Sequence, residues 1–127
     1  MPLVLQSRTP CAMRVIVAGG RHFDDYELVK LILDSRKSKI TEVVCGCATG
    51  ADSLGERWAK ENGIPVKHFP AKWGSRKDGT YDPRAGKKRN EQMAQYADAC
   101  VTFPGGNGTA DMKKRAAIHS LKRLFIG

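Results

Sequence analysis

The sequence predicts a doubly wound α/β layer sandwich, with a mainly parallel sheet of about five strands covered by helices on both faces. Three observations carry that prediction. Short β-branched runs alternate with helical patterns from Met13 onward. The strands are short and read as buried, which suits a parallel sheet with both faces covered. Right-handed crossovers then restrict the topology to a doubly wound order. A chain of 127 residues is enough for one domain that buries roughly two-thirds of its unfolded surface. The expected organisation is an extension over residues 1–12, where Pro2 and Pro10 oppose regular structure, and a single domain over residues 13–127.

The elements follow in order. MRVIVAG reads as the first strand. Asp24 to Lys37 reads as a helix with Asp24 and Asp25 at its positive end and Arg36 and Lys37 at the other; Leu28, Leu31, Ile32 and Ser35 share a face. ITEVVCG is the second strand. Ala51 to Asn62 is the second helix, with Leu54 and Trp58 four apart and Gly63 as its stop. IPVKHF is the third strand, and residues 70–84 are irregular. Ala85 to Ala97 is the third helix, ACVTF the fourth strand, Thr109 to Ser120 the fourth helix and KRLFIG a last strand.

Three small-residue turns fall where a strand hands over to a helix: Ala18-Gly19-Gly20-Arg21, Cys45-Gly46-Cys47-Ala48-Thr49-Gly50-Ala51-Asp52 and Pro104-Gly105-Gly106-Asn107-Gly108-Thr109. In a doubly wound sheet all three lie on one edge, beside the reversal of strand order where ligands bind. Glycine lets a ligand approach the main chain. The first amides of each following helix have no internal partner and suit a phosphate or another anion. Thr109 reads as a helix cap or a phosphate contact, and Thr49 with Asp52 reads as a capping box. The spacing matches neither a Walker A loop nor a dinucleotide fingerprint.

Charge agrees with an anionic partner. The chain carries 22 Lys and Arg against 13 Asp and Glu, a net +9. Lys72, Arg76, Lys77, Arg84, Lys87, Lys88 and Arg89 are opposed in their stretch only by Asp78 and Asp82. No apolar run approaches the roughly 20 residues of a membrane span, and residues 1–12 lack a basic head and a long apolar core. A soluble protein without a membrane role is expected in the cytoplasm, that of a bacterium or, for a viral protein, of the infected host. Cys11, Cys45, Cys47 and Cys100 form no Cys-x-x-Cys pair, and His22, His68 and His119 show neither metal spacing nor a nucleophile partner. No metal or cofactor is expected.

Five segments in order, VIVAGGRHFDDY, GCATGADSLGERWA, AKWG, AGKKRNEQM and FPGGNGTADMKKRA, resemble the SLOG superfamily in its YspA/YpsA-like branch. The likeness spans roughly Met13 to Phe125. It implies a Rossmann-like fold that binds a nucleotide or a nucleotide-derived ligand, such as a signalling nucleotide or an ADP-ribose derivative. It also implies homo-oligomers whose sites complete themselves across an interface. More distant likenesses run to the LOG phosphoribohydrolases, whose motif reads PGG-x-GT-x-x-E, and to DNA-processing protein A. Carried over by position, Gly19, Gly20 and Arg21 form the first ligand loop, and Gly46, Thr49, Gly50 and Asp52 the second. Arg89, Asn90 and Met93 match the arginine motif, and Gly105, Gly106, Gly108 and Thr109 the phosphate loop, which also contains Asn107. The phosphoribohydrolase glutamate falls at Met112, with Asp111 one place earlier and about 100° away around a helix. Cys47 replaces a common glycine.

Several residues carry two readings. Arg89 reads as a bidentate phosphate ligand or a solvated helix charge, and Asn90 as a reader of a base or ribose edge or as a helix cap. Trp73, and less so Tyr81, reads as a stacking platform or as a cover for the sheet edge; Met93 reads as core. Three functions follow. The first is a sensor or sequestering protein for a nucleotide-derived ligand. The second is N-glycosidic cleavage of a nucleoside monophosphate, with Asp111 or Asp52 as the carboxylate and Arg89 on the phosphate. The third is single-stranded nucleic-acid binding, which the charge favours and the lack of basic-aromatic interleaving disfavours.

Overall fold

A computed structural model describes residues 13–46, 50–70 and 84–126, apart from the side chain of Asn107. Five strands form one all-parallel sheet: β1 (Met13–Ala18), β2 (Ile40–Cys45), β3 (Val66–His68), β4 (Ala99–Thr102) and β5 (Lys122–Phe125). Their spatial order is β3-β2-β1-β4-β5. The order reverses between β1 and β4, which run in register from Val15 beside Ala99 to Ala18 beside Thr102.

The four helices are α1 (Tyr26–Asp34), α2 (Ala51–Glu61), α3 (Ala85–Tyr96) and α4 (Asn107–Ile118). Side chains alternate along β1 and sort into two cores. Val15 and Val17 join Val29, Leu33, Trp58 and Phe103 on the face covered by α1 and α2. Ile16 and Ala18 join Met93, Ala94, Met112 and Ala116 on the face covered by α3 and α4. Both faces are covered, so β1 is apolar and buried from Val15 to Ala18, with Arg14 the one partly exposed position. Trp58 is fully buried, and its indole donates to Asp34 at 2.8 Å, which ties α2 to the end of α1.

The elements depart from expectation at their ends. Asp25, not Asp24, starts α1: its carboxylate caps the helix by accepting from the Leu28 amide at 3.1 Å. The helix stops at Asp34, and Lys37–Lys39 form a separate 3₁₀ turn. The buried stripe of α1 is Val29 and Leu33, with Leu28 and Ile32 packed at its margin, while Leu31 is 66% exposed. The shared face expected for Leu28, Leu31, Ile32 and Ser35 is therefore displaced by a fraction of a turn. β3 is three residues long because it lies at the sheet edge, with Pro65 before it. α4 begins two residues earlier than expected, which places Thr109 inside its first turn; Gly106 occupies the cap position.

Candidate functional site

The carboxyl ends of β1 and β4 open onto a cleft of about 850 Å³. Its walls hold Gly19, Gly20, Arg21, Asp52, Arg89, Asn90, Gly105, Gly106, Gly108 and Thr109 from the sequence candidates, together with Ala18, His22, Phe23, Met93, Pro104 and Met112. The rim is fastened by main-chain bonds between loops far apart in sequence. The Gly20 amide donates to the Pro104 carbonyl at 2.9 Å, and the Gly20 carbonyl accepts from Phe23 at 3.1 Å and Ala51 at 3.3 Å.

The bare backbone divides into two kinds. At Gly19, Gly20, Gly50 and Gly105 the missing Cβ makes room for another loop. A Cβ on Gly19 would lie 2.6 Å from Ala51 Cβ, and one on Gly20 would lie 3.0 Å from Gly105 Cα. Gly50 has φ +76° and presses against Gly20 and Arg21. Nothing lies within 4 Å of a Cβ at Gly106 or Gly108, and both line the cleft. Their open space lies at the start of a 12-residue helix with no side-chain cap bond, where the first main-chain amides of a helix lack intrahelical partners.

Gly46 and Gly50 stand behind the wall. The Gly46 amide donates to the buried carboxylate of Asp52 at 3.1 Å. Asp52 thus ties the start of the second loop to α2, whose cap position is Gly50; the capping box expected of Thr49 with Asp52 involves Thr49, which lies outside the described residues. The Arg89 guanidinium lies over Gly46 and donates to its carbonyl through Nη1. Its Nε donates to Asn90 Oδ1 at 2.9 Å. Both acceptors are neutral, so no carboxylate cancels the arginine's charge through these contacts.

Asp111 is not on the wall. It turns toward the α3–α4 seam, where Oδ2 accepts from Asn90 at 3.0 Å and from Arg115 at 2.8 Å. Partial burial pushes its pKa upward, but the hydrogen bonds from Arg115 and Asn90 and the charges of Arg115 and Lys87 outweigh burial and hold it below the usual carboxylate range. Met112 lines the cleft instead, with Met93 and Ala18. Thr109 is buried, with its hydroxyl against Gly105. Thr49, Trp73, Tyr81, Cys11, Cys47 and the basic run from Lys72 to Lys77 lie outside the described residues.

Among the sites the sequence did not single out, His22 and Phe23 follow the first glycine loop directly, and Phe23 stacks on Phe103 with centroids 5.1 Å apart. Their place just after the strand's carboxyl end was the available signal. His68 pairs with Glu56 and His119 with Glu91, away from the cleft wall. Among the described residues, no group of three or more His, Cys, Asp or Glu is placed to hold a metal, and no helix is long and apolar enough to cross a membrane.

A parallel sheet ordered 3-2-1-4-5, with its cleft at the strand-order reversal, defines a Rossmann-like protein. The X-ray structure of DNA processing protein A from Streptococcus pneumoniae is similar in fold, with a TM-score of 0.74 and 15% sequence identity. The match covers 91% of this chain and 50% of that one, so the chain spans half the length of that structure. No curated protein matches the chain. The model of the YspA, cpYpsA-related SLOG family matches residues 13–75, so this part of the chain is similar to that family.

Proposed function

We propose that the cleft binds a nucleotide or nucleotide-derived ligand, and that the protein acts as a sensor or a sequestering protein for it. The observation that carries this reading is the pairing of the open main chain at Gly106 and Gly108, at the start of α4, with the Arg89 guanidinium on one cleft wall. A phosphate there meets a helix N-terminus and a planar cation together. The apolar floor of Met93 and Met112 suits a less polar portion of the ligand. The match to the SLOG family model and the name of the similar structure, a DNA processing protein, agree with a phosphate-bearing partner.

Binding is favoured over cleavage by the placement of the carboxylates. N-glycosidic cleavage needs a carboxylate beside the developing oxocarbenium ion. Asp111 faces Asn90 and Arg115, and Asp52 holds the Gly46 amide. Calorimetric titration with AMP, ADP, ADP-ribose, cyclic nucleotides and a single-stranded oligonucleotide tests the reading. Saturable binding of at least one nucleotide is expected, weakened by Arg89→Ala. No binding of any nucleotide at millimolar concentration would overturn it. Binding of the oligonucleotide alone, falling steeply with salt, would replace it with nucleic-acid binding. Light scattering with and without the ligand measures whether the protein assembles as a homo-oligomer.

A further inference from the structure

We propose that Asp111 is a positioning residue for the anion site: it locks the amide of Asn90 in one orientation, and Asn90 in turn aims Arg89 at the cleft. The inference rests on the binding reading above. Asn90 is only 6% exposed, at the seam between α3 and the first turn of α4. Its Nδ2 donates to Asp111 Oδ2 at 3.0 Å and to the Gly108 carbonyl at 3.3 Å. Its Oδ1 accepts from Arg89 Nε at 2.9 Å. Turning the amide over makes all three contacts repulsive, because the nitrogen then faces a donor and the oxygen faces a carboxylate and a carbonyl. Both amide protons are spent within the protein, so Asn90 has none to offer a base or ribose edge.

The lock has a source and an output. An ionised carboxylate only accepts hydrogen bonds, so Asp111 dictates which end of the Asn90 amide is nitrogen. Asp111 is itself held by Arg115 Nε at 2.8 Å, and Arg115 is braced by Glu91 at 3.0 Å. At the other end, Asn90 and the Gly46 carbonyl take two of the five N–H groups of Arg89. Three remain for an anion on the cleft wall, among the described residues. Asp111 thus shapes the site without touching the ligand.

The test combines the Arg89 Nε–H resonance, read in ¹⁵N spectra of the ligand-free protein and assigned through Arg89→Lys, with titration of AMP and inorganic pyrophosphate. Asp111→Asn keeps an acceptor of the same shape, whereas Asp111→Ala removes it. The expected result is a slowly exchanging Nε–H in the wild type and in Asp111→Asn, lost in Asp111→Ala. Affinity should stay within about threefold in Asp111→Asn and fall about tenfold in folded Asp111→Ala, the loss of one hydrogen bond to a charged group. A purely structural role would lower the melting temperature of Asp111→Ala and leave both readouts unchanged; that outcome overturns the proposal. If the wild type binds neither probe while the Nε–H behaves as expected, the lock stands and the binding reading falls.

Discussion

Replacing Gly50 by alanine is expected to unfasten the rim of the cleft. Gly50 has φ +76° and ψ −129°, a region that side chains other than glycine rarely occupy. Backbone strain there costs about 1–3 kcal/mol. The new Cβ would also lie 2.7 Å from Arg21 Cα and closer still to the Gly20 carbonyl oxygen, which is main chain and cannot swing away. Gly20 must shift, and its bonds to Ala51 and Pro104 stretch with it. Overpacking of this kind adds about 1–3 kcal/mol, for a total of about 2–6 kcal/mol. Gly63→Ala is the internal standard. It has φ +66° and nothing within 4 Å of a Cβ, so it reports left-handed strain alone, about 1–2 kcal/mol. Gly106→Ala, with open space and negative φ, should change stability by less than about 0.5 kcal/mol. Urea unfolding of the three variants gives the ranking directly, provided the slope stays that of the wild type. Gly50→Ala no more destabilising than Gly63→Ala, or Gly106→Ala as damaging as Gly50→Ala, would refute the division of the glycines into packed and open.

The other predictions concern the core, the seam and the thiols. Trp58→Ala should cost about 3–5 kcal/mol in denaturant unfolding, since a fully buried indole and its bond to Asp34 are both lost. Asp111 has a folded pKa below its unfolded one, so its contribution to stability is present above about pH 4 and is lost as pH falls through the lowered folded value. The stability gap between wild type and Asp111→Asn should therefore close on acidification, and a gap that widens there would contradict the ion pair. Cys100 has its thiol pushed up to about 12, chiefly by burial and secondarily by the charge of Asp52, and Cys45 is equally buried. Mass spectrometry after iodoacetamide treatment at pH 8 should find both unlabelled in the native protein and labelled in urea; native labelling of Cys100 would count against this packing.

The layer architecture, the element order and the sheet edge on which the glycine turns fall were all legible in the residues. Each is a local property: an apolar run such as MRVIVA, a helical period, or a small-residue turn between the two. Right-handed crossovers convert that order into a topology with little freedom left. The sequence also offered Arg89 and Asn90 as neighbours on a helix, with Asp111 near the glycine loop. Which side of its helix Asp111 faces, and whether Asn90 looks at a ligand or at the protein, depends on how α3 packs against α4. Those contacts join residues about 20 positions apart, and no local pattern encodes them. The same holds for the glycines. Gly50 and Gly106 look alike in a string of letters, yet one is pressed against Gly20 and the other faces open space. Only when distant loops share one rim does a missing Cβ become either a packing contact or room for a ligand.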